Sequence, residues 1–294
     1  LRLAAHEPAP GRHLGLPGVT GMAGRVEATR DDGRVQLDAR RSSATFPGLF
    51  EEPTVPLDRV AGTLRWRIDR SGEHPVMRVD TERLTFSNAD ATGELTGSWA
   101  SSPHGPGRVD LQGRLTDADA VRTARYLPVS LSKPVRDWVG NAVLAGRADR
   151  VDLRLRGDLA DFPFRDPATG EFRVAARLGD GVLWYGQDWP AIEGIQGELV
   201  FERAGMSLSA PNARIYGVRL ANVRATIDDF VAPLLRIDGA GTGPAQDMVR
   251  FVNETPLRTR IDDFTVDVRA AGEAKLSLAL VMPLAAMGAT RVEG

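Results

Sequence analysis

A strand-pair unit that recurs along the chain narrows what it can fold into. Pro17-Gly-Val19-Thr-Gly21-Met22-Ala-Gly24-Arg-Val26-Glu-Ala28 matches Pro190-Ala-Ile192-Glu-Gly194-Ile195-Gln-Gly197-Glu-Leu199-Val-Phe201 position for position, and a looser copy runs from Pro56 through Gly62 and Leu64 to Trp66. The first two copies are each followed by a turn and a second alternating run, Val35-Gln-Leu37-Asp-Ala39 and Met206-Ser-Leu208-Ser-Ala210. Successive side chains on a strand point to opposite faces, so every such run has one apolar and one polar face. The unit suggests a β surface assembled by accretion of strands, and it does not suggest an active site.

Period-two alternation continues elsewhere, as in Leu64-Arg-Trp66-Arg-Ile68, Val109-Asp-Leu111-Gln-Gly113-Arg-Leu115, Val151-Asp-Leu153-Arg-Leu155 and Phe264-Thr-Val266-Asp-Val268-Arg-Ala270. Parallel sheets covered on both faces would read as continuous apolar runs. The expected fold is therefore all-β dominated, an antiparallel meander with one wet face. Asp31-Asp-Gly33, Arg70-Ser-Gly72, Asp166 to Gly170 and Gly179-Asp-Gly181 read as turns between strands. Glycines 24, 62, 93, 97, 113 and 197 share the apolar face, where a closed sandwich would prefer bulk, and this points to an open trough.

Helices are expected to be few and short. Ser132 caps one with Pro134 in its first turn, Val135, Trp138, Val139, Ala142 and Val143 on one side, and Gly146 at its end. Thr116 opens a second as a capping box, running through Ala124. Thr242-Gly-Pro244 begins a third near 244–253, stopped by Pro256, after a glycine-rich strand-to-helix turn at 239–243. These helices read as plugs packed on the sheet.

With 42% apolar and 26% charged residues the chain has the composition of a folded domain. Its formal net charge of −2 gives no reason to expect nucleic-acid binding, which normally needs a strongly basic face. It has no cysteine, so neither disulfides nor thiolate metal sites are available. His6, His13, His74 and His104 show no ligand spacing, and no metal or other cofactor is expected. Neighbouring carboxylates such as Asp228/Asp229 and Asp262/Asp263 face opposite ways on a strand and do not converge as glycosidase pairs must. The Gly239-Ala-Gly241-Thr-Gly243 run lacks the spacing of a dinucleotide loop, and there is no GxSxG elbow. No enzymatic activity is expected. The longest apolar stretch, 276–287, is interrupted and falls short of a membrane span.

From Tyr126 onward the chain resembles the YhdP-type members of the AsmA-like family of Gram-negative bacteria. The residues that carry the resemblance are Tyr126-Leu-Pro128, Val135-Arg-Asp-Trp138-Val, Leu153-Arg-Leu155-Arg-Gly157-Asp-Leu159-Ala-Asp-Phe162-Pro-Phe164, Trp184-Tyr185 with Trp189-Pro190, Ile227-Asp-Asp-Phe230 and Phe251-Val-Asn-Glu-Thr-Pro256-Leu257. The resemblance implies a fragment of a long periplasmic protein held in the inner membrane by an N-terminal anchor absent from this sequence. Such proteins form an extended, twisted antiparallel β-sheet folded into an open groove, with short helices packed on it. They move phospholipids between inner and outer membranes, so the implied partners are phospholipid acyl chains, the inner membrane, and the outer membrane or its proteins at the far end. The organisation implied is one continuous elongated unit, with groove repeats over 1–115, a short helical insertion over 116–147, and further repeats over 148–294.

The residues are compatible with this reading by elementary physics. About sixteen to eighteen strands at about 4.8 Å would make a trough of about 80 Å. Each methylene laid in it gains about 0.8 kcal/mol. Strand phase assigns to the groove Val26, Leu37, Leu64, Trp66, Leu95, Leu111, Val151, Leu153, Leu155, Val174, Leu199, Phe201, Leu208, Val266, Val268, Leu276, Leu278 and Leu280. A change of phase between Leu220 and Val223 predicts a bulge there. The alternative from another class is a structural or adhesive β-repeat protein whose apolar face is a closed core.

Overall fold

The computed structural model describes residues 18–284 and 291–293, with the side chains of Leu278 and 291–293 excepted. Strands make up 60% of the described residues. They are β1 (Gly18–Thr20), β2 (Gly24–Ala28), β3 (Asp32–Thr45), β4 (Thr54–Asp69), β5 (Val76–Ser87), β6 (Thr92–Ser102), β7 (Gly105–Thr116) and β8 (Ala118–Asp119), then β9 (Val143–Asp158), β10 (Gly170–Leu183), β11 (Ile192–Glu202), β12 (Gly205–Ile215), β13 (Val218–Ile227), β14 (Leu234–Pro244), β15 (Glu273–Pro283) and β16 (Arg291–Glu293). All belong to one unclosed sheet whose neighbours follow chain order, apart from β2 pairing on β3 beside β1 and β8 pairing on β9. The pairings resolved strand by strand are antiparallel, as the alternation requires. Three α-helices interrupt the meander: α1 (Lys133–Ala142), α2 (Ala245–Asn253) and α3 (Leu257–Arg260).

The chain divides into two compact units. The first holds the residues up to Ala118, Arg125–Ser130 and Arg150–Val174. The second holds Asp119–Ala124, Leu131–Asp149 and the residues from Ala175 on.

The sequence repeat has a definite structural meaning. Gly21 and Gly194 occupy equivalent places in it, and both have positive φ, 67° and 59°. Gly21 separates β1 from β2, and Gly194 lies in the register shift between Glu193 and Gln196 of β11. Three residues on, Gly24 and Gly197 press against the next strand. A Cβ on Gly24 would lie 2.2 Å from the Gln36 carbonyl oxygen, and one on Gly197 would lie 2.3 Å from that of Ser209. Each copy therefore encodes a kinked first strand and a close approach of the two backbones. Such kinks raise local twist and bend the sheet.

Several local expectations are corrected. Val266 and Val268 lie on no strand; the segment after α3 runs in turns from Ile261 to Asp267, and β15 starts only at Glu273. Alternation there comes from a turn-rich excursion carrying Asp262, Asp263 and Asp267. The Gly239–Gly243 run is the body of β14, not a turn before a helix, because glycine faces Leu278, Leu276 and Ala274 of β15 and lets the strands pair to Pro244. Gly179-Asp-Gly181 is also inside a strand, β10, where Asp180 takes φ 50°. α1 stops at Ala142 instead of Gly146, since the chain turns straight into β9 and the Ala142 carbonyl accepts the Trp184 N–H at 2.7 Å. The expected helix after Thr116 is a 3₁₀ turn over Ala120–Tyr126, with the Asp119 carboxylate accepting the Val121 N–H at 3.0 Å. The phase change near residue 222 is present: register shifts between Ala221 and Arg224, and Asn222 has φ 54°.

Because the close approach leaves no room for a side chain, Gly197→Val is expected to destabilise the protein by about 1–3 kcal/mol. A urea unfolding curve with an unchanged midpoint would refute this account of the repeat.

Candidate functional site

In the first unit the strand register lines up four rows of side chains on one face. One row runs Ala39, Val60, Phe86, Gly93, Leu115, Val151. The next runs Gly24, Leu37, Gly62, Leu84, Leu95, Gly113, Leu153, and the third Val26, Val35, Leu64, Thr81, Gly97, Leu111, Leu155. The fourth is Gly33, Trp66, Val79, Trp99, Val109, Gly157. Large residues recur beside glycines and lie down over them. A Cβ on Gly33 would sit 2.3 Å from Trp66, on Gly93 2.6 Å from both Leu115 and Phe86, and on Gly113 2.6 Å from Leu95. The result is a smooth apolar layer one side chain thick.

That layer is only half covered. Leu37, Leu64, Trp66, Leu95, Leu111, Leu153, Leu155 and Val174 are all of intermediate exposure, and Val151 is buried at the margin. Val26 continues its row by register but is 61% exposed on the outer strand β2. At about 4.8 Å per strand, the seven strands from β2 to β9 give each complete row a length of about 30 Å. A monolayer's hydrocarbon is about half of a 30 Å bilayer core, so one acyl chain fits along a row.

The opposite face is charged. Arg83–Glu94 (3.1 Å), Arg114–Asp152 (3.2 Å), Arg65–Glu82 and Arg154–Asp110 pair across neighbouring strands. These pairs are solvent-exposed and contribute little stability individually. They hold this face in water and so fix which face is greasy. An open depression of about 490 Å³ on this side is lined by Arg65, Glu82, Asp80 and Asp110, whose charges are already paired.

The second unit treats the same kind of face differently. Its rows Leu199, Leu208, Ala225, Ile237, Leu280 and Phe201, Met206, Ile227, Leu235, Met282 follow from register. Here α1 and α2 lie on the sheet and close a core with Val135, Tyr185, Trp189, Ile215, Val223 and Phe251. Trp138 donates from Nε1 to the Tyr185 carbonyl at 3.2 Å, and burial pushes the Tyr185 phenol well up. Of the residues expected in a groove, Leu208 and Leu280 are fully buried, while Leu199, Phe201 and Leu276 are partly so. The space left beneath α2, lined by Tyr185, Ile215, Val218, Met248, Phe251 and Leu276, is about 70 Å³. That is half of a cavity that just takes benzene, so it admits no acyl chain. Leu278 falls outside the described side chains.

Strand phase does not tell what covers the face. Leu84, Phe86, Val79 and Leu115 share it by register and were not expected there, with Leu84 and Phe86 packed against the buried cluster of Ala39 and Val60. The bulge between Gly62/Leu64 and Leu84/Thr81 hides the phase of β5, whose run Val79-Asp-Thr-Glu-Arg-Leu84 does not alternate strictly.

Among the described residues no three His, Asp or Glu side chains converge as a metal site, and no helix is long and apolar enough to cross a membrane. An unclosed antiparallel sheet with one charged face and one apolar face, part bare and part plugged by helices, defines a β-scaffold with an extended apolar surface. The chain belongs to the family described as YhdP protein, which it matches over residues 9–294. It is 26% identical over 272 residues to the intermembrane phospholipid transporter YhdP of Escherichia coli strain K12, a match covering 92% of this chain. The chain spans 21% of that relative's length. No solved structure matches it.

The contrast between the two units is measurable. Phe251→Ala, 6% exposed in the closed core, is expected to cost about 3–5 kcal/mol. Leu64→Ala on the partly covered layer is expected to cost less, about 1–2 kcal/mol. Equal losses in equilibrium unfolding would mean the first layer is packed as tightly as the second.

Proposed function

We propose that this segment holds phospholipid acyl chains against the half-exposed apolar layer of its first unit, within a periplasmic, inner-membrane-anchored protein that passes phospholipids between the inner and outer membranes. It does so without chemistry on the lipid. The observation that carries this reading is the continuous layer across β3–β9, about 24 Å long by strand spacing, with glycines keeping it smooth. Each methylene it covers leaves water at a gain of about 0.8 kcal/mol. A uniform row offers nearly the same gain at each step, so a chain can be held and still slide. The relative's activity as an intermembrane phospholipid transporter supports the same reading.

In the second unit a specific observation favours the structural alternative. There the face is sealed by α1 and α2, and its residual cavity is too small for a lipid tail. Leu208 and Leu280 act there as core, and Leu199, Phe201 and Leu276 as its margin.

The test is a charge placed on the layer. Leu64→Asp and Leu111→Asp in the intact protein are expected to keep the fold, because both sites are half-exposed, and to lose co-purifying phospholipid in mass spectrometry of gently extracted protein. Wild-type lipid content in a folded double variant would sink the proposal.

A further inference from the structure

The apolar layer of the first unit differs at its two long margins. At one margin, the row Ala39, Val60, Phe86 is roofed by the 45–54 loop and by Arg125–Ser130, which cross it as a strap. Ala39 and Val60 are 1% and 2% exposed beneath it. The strap is tied down at several points. Phe50 bridges to Pro128, and the Val129 N–H donates to the Leu49 carbonyl at 2.9 Å. Phe50 meets both Phe46 and Tyr126 edge to face, at 5.8 and 6.1 Å.

The strongest tie is polar. Asp90 is 5% exposed, and its carboxylate accepts from Arg125 Nη1 at 2.9 Å and from the Tyr126 hydroxyl at 2.8 Å. Asn88 donates to that hydroxyl at 3.1 Å, and Arg125 also donates from Nε to Glu52 at 3.2 Å. A buried carboxylate is held in place by such charge-assisted bonds and is costly to leave alone. No step of lipid holding uses it.

The opposite margin is bare at β4–β6. Trp66, Val79 and Trp99 form its row, and beyond them Ile68 faces Met77, which is 38% exposed. Trp99 turns its Nε1 to the Pro106 carbonyl at 2.9 Å. Further along, the same margin shuts again, where the fully buried Phe164 ring lies over Gly157. Tryptophan is favoured where an apolar body meets a wet edge.

We propose that the Asp90-latched strap is a fixed wall and that the Trp66–Trp99 margin is the mouth, so a bound phospholipid lies with its acyl chains on the layer and its headgroup at the margin of Trp66, Met77 and Trp99. This rests on the reading that the layer holds acyl chains, and it adds the direction in which the lipid points and the side from which it enters. A headgroup at the strap would have to give up its water among Phe46, Phe50 and Tyr126.

The test uses the intact detergent-extracted protein and two phosphatidylcholine probes, one with a diazirine in mid-chain and one with a diazirine on the headgroup, with labelled peptides mapped by mass spectrometry. The chain probe is expected on β4–β7 around Leu64 and Leu111. The headgroup probe should favour peptides holding Trp66, Met77 and Trp99 over those holding Phe46–Phe50 and Arg125–Val129 by about tenfold or more, the least factor expected for burying a polar group without partners. In Asp90→Asn the strap-side labelling is expected to rise toward the mouth-side value. Arg125→Ala, which leaves the Tyr126 bond, serves if the first variant does not fold. Headgroup label equal on both margins, or concentrated at the strap in the wild type, overturns the inference while the chain label keeps the lipid reading alive. Chain label absent from the layer removes both.

Discussion

Everything in this molecule depends on which residues stand opposite one another across the strands. Alternation gives each strand a greasy and a charged side, and that alone would produce an ordinary half-wet sheet. What sets this sheet apart is that glycine in one strand stands beside leucine, phenylalanine or tryptophan in the next. Gly33 lies under Trp66, Gly93 under Phe86 and Leu115, and Gly113 under Leu95. The large side chain lies flat in the space the missing Cβ leaves, so the layer buries itself partly against its own backbone. A sheet built this way holds together with only modest cover over its apolar face.

That partial self-burial explains how one sheet carries two kinds of surface. Most of the transfer free energy of each leucine is already gained within the layer, leaving about 1 kcal/mol or less per residue to be gained from a covering group. In the second unit the chain supplies the cover itself. α1 and α2 bring Val135 and Phe251 down onto the sheet, the Trp189 ring joins them from the connection between β10 and β11, and the residues beneath become core. In the first unit, among the described residues, such cover comes from the strap along one margin and from Phe164 over Gly157 at one end of the other. The rest of the layer is a surface whose stabilisation is incomplete until something hydrocarbon-like lies on it.

The sequence made the sheet legible because its signal is local. Period two in Leu64-Arg-Trp66 or Leu111-Gln-Gly113 needs no knowledge of the rest of the fold, whereas the kinks at Gly21 and Gly194 appear only in the structure. Cover is not local. Nothing in the phase of Leu208 or Leu280 tells that a helix from more than thirty residues away will lie on it, whereas Leu111 with the same phase stays half open. The failures at Val266 and Val268 have the same root, since alternation in a short segment is shared by a strand and by a run of turns whose apolar residues happen to fall every second place. At β14, glycine was read as a turn signal because its usual cause is conformational freedom. There its cause is thinness, as Gly239 and Gly241 make room on the face for Val223 and Val218.

Thinness also bears on transport. A deep pocket binds by surrounding its ligand, and leaving it exposes the whole ligand at once. A smooth layer binds by lying under its ligand, and a shift of one strand exposes a few methylenes at one end while covering as many at the other. The barrier to sliding is then set by the roughness of the layer, not by its total grip. Gly97 and Thr81 in the row of Leu64 and Leu111 keep that row low between its leucines, and the bulge that carries Thr81 and Leu84 is absorbed on the charged side by Glu82 and Arg83, which pair with Arg65 and Glu94. The irregularity of the backbone is thus turned away from the surface where a chain would move. A sheet selected only for stability would gain by closing its face, and between its margins this one does not across β3–β9.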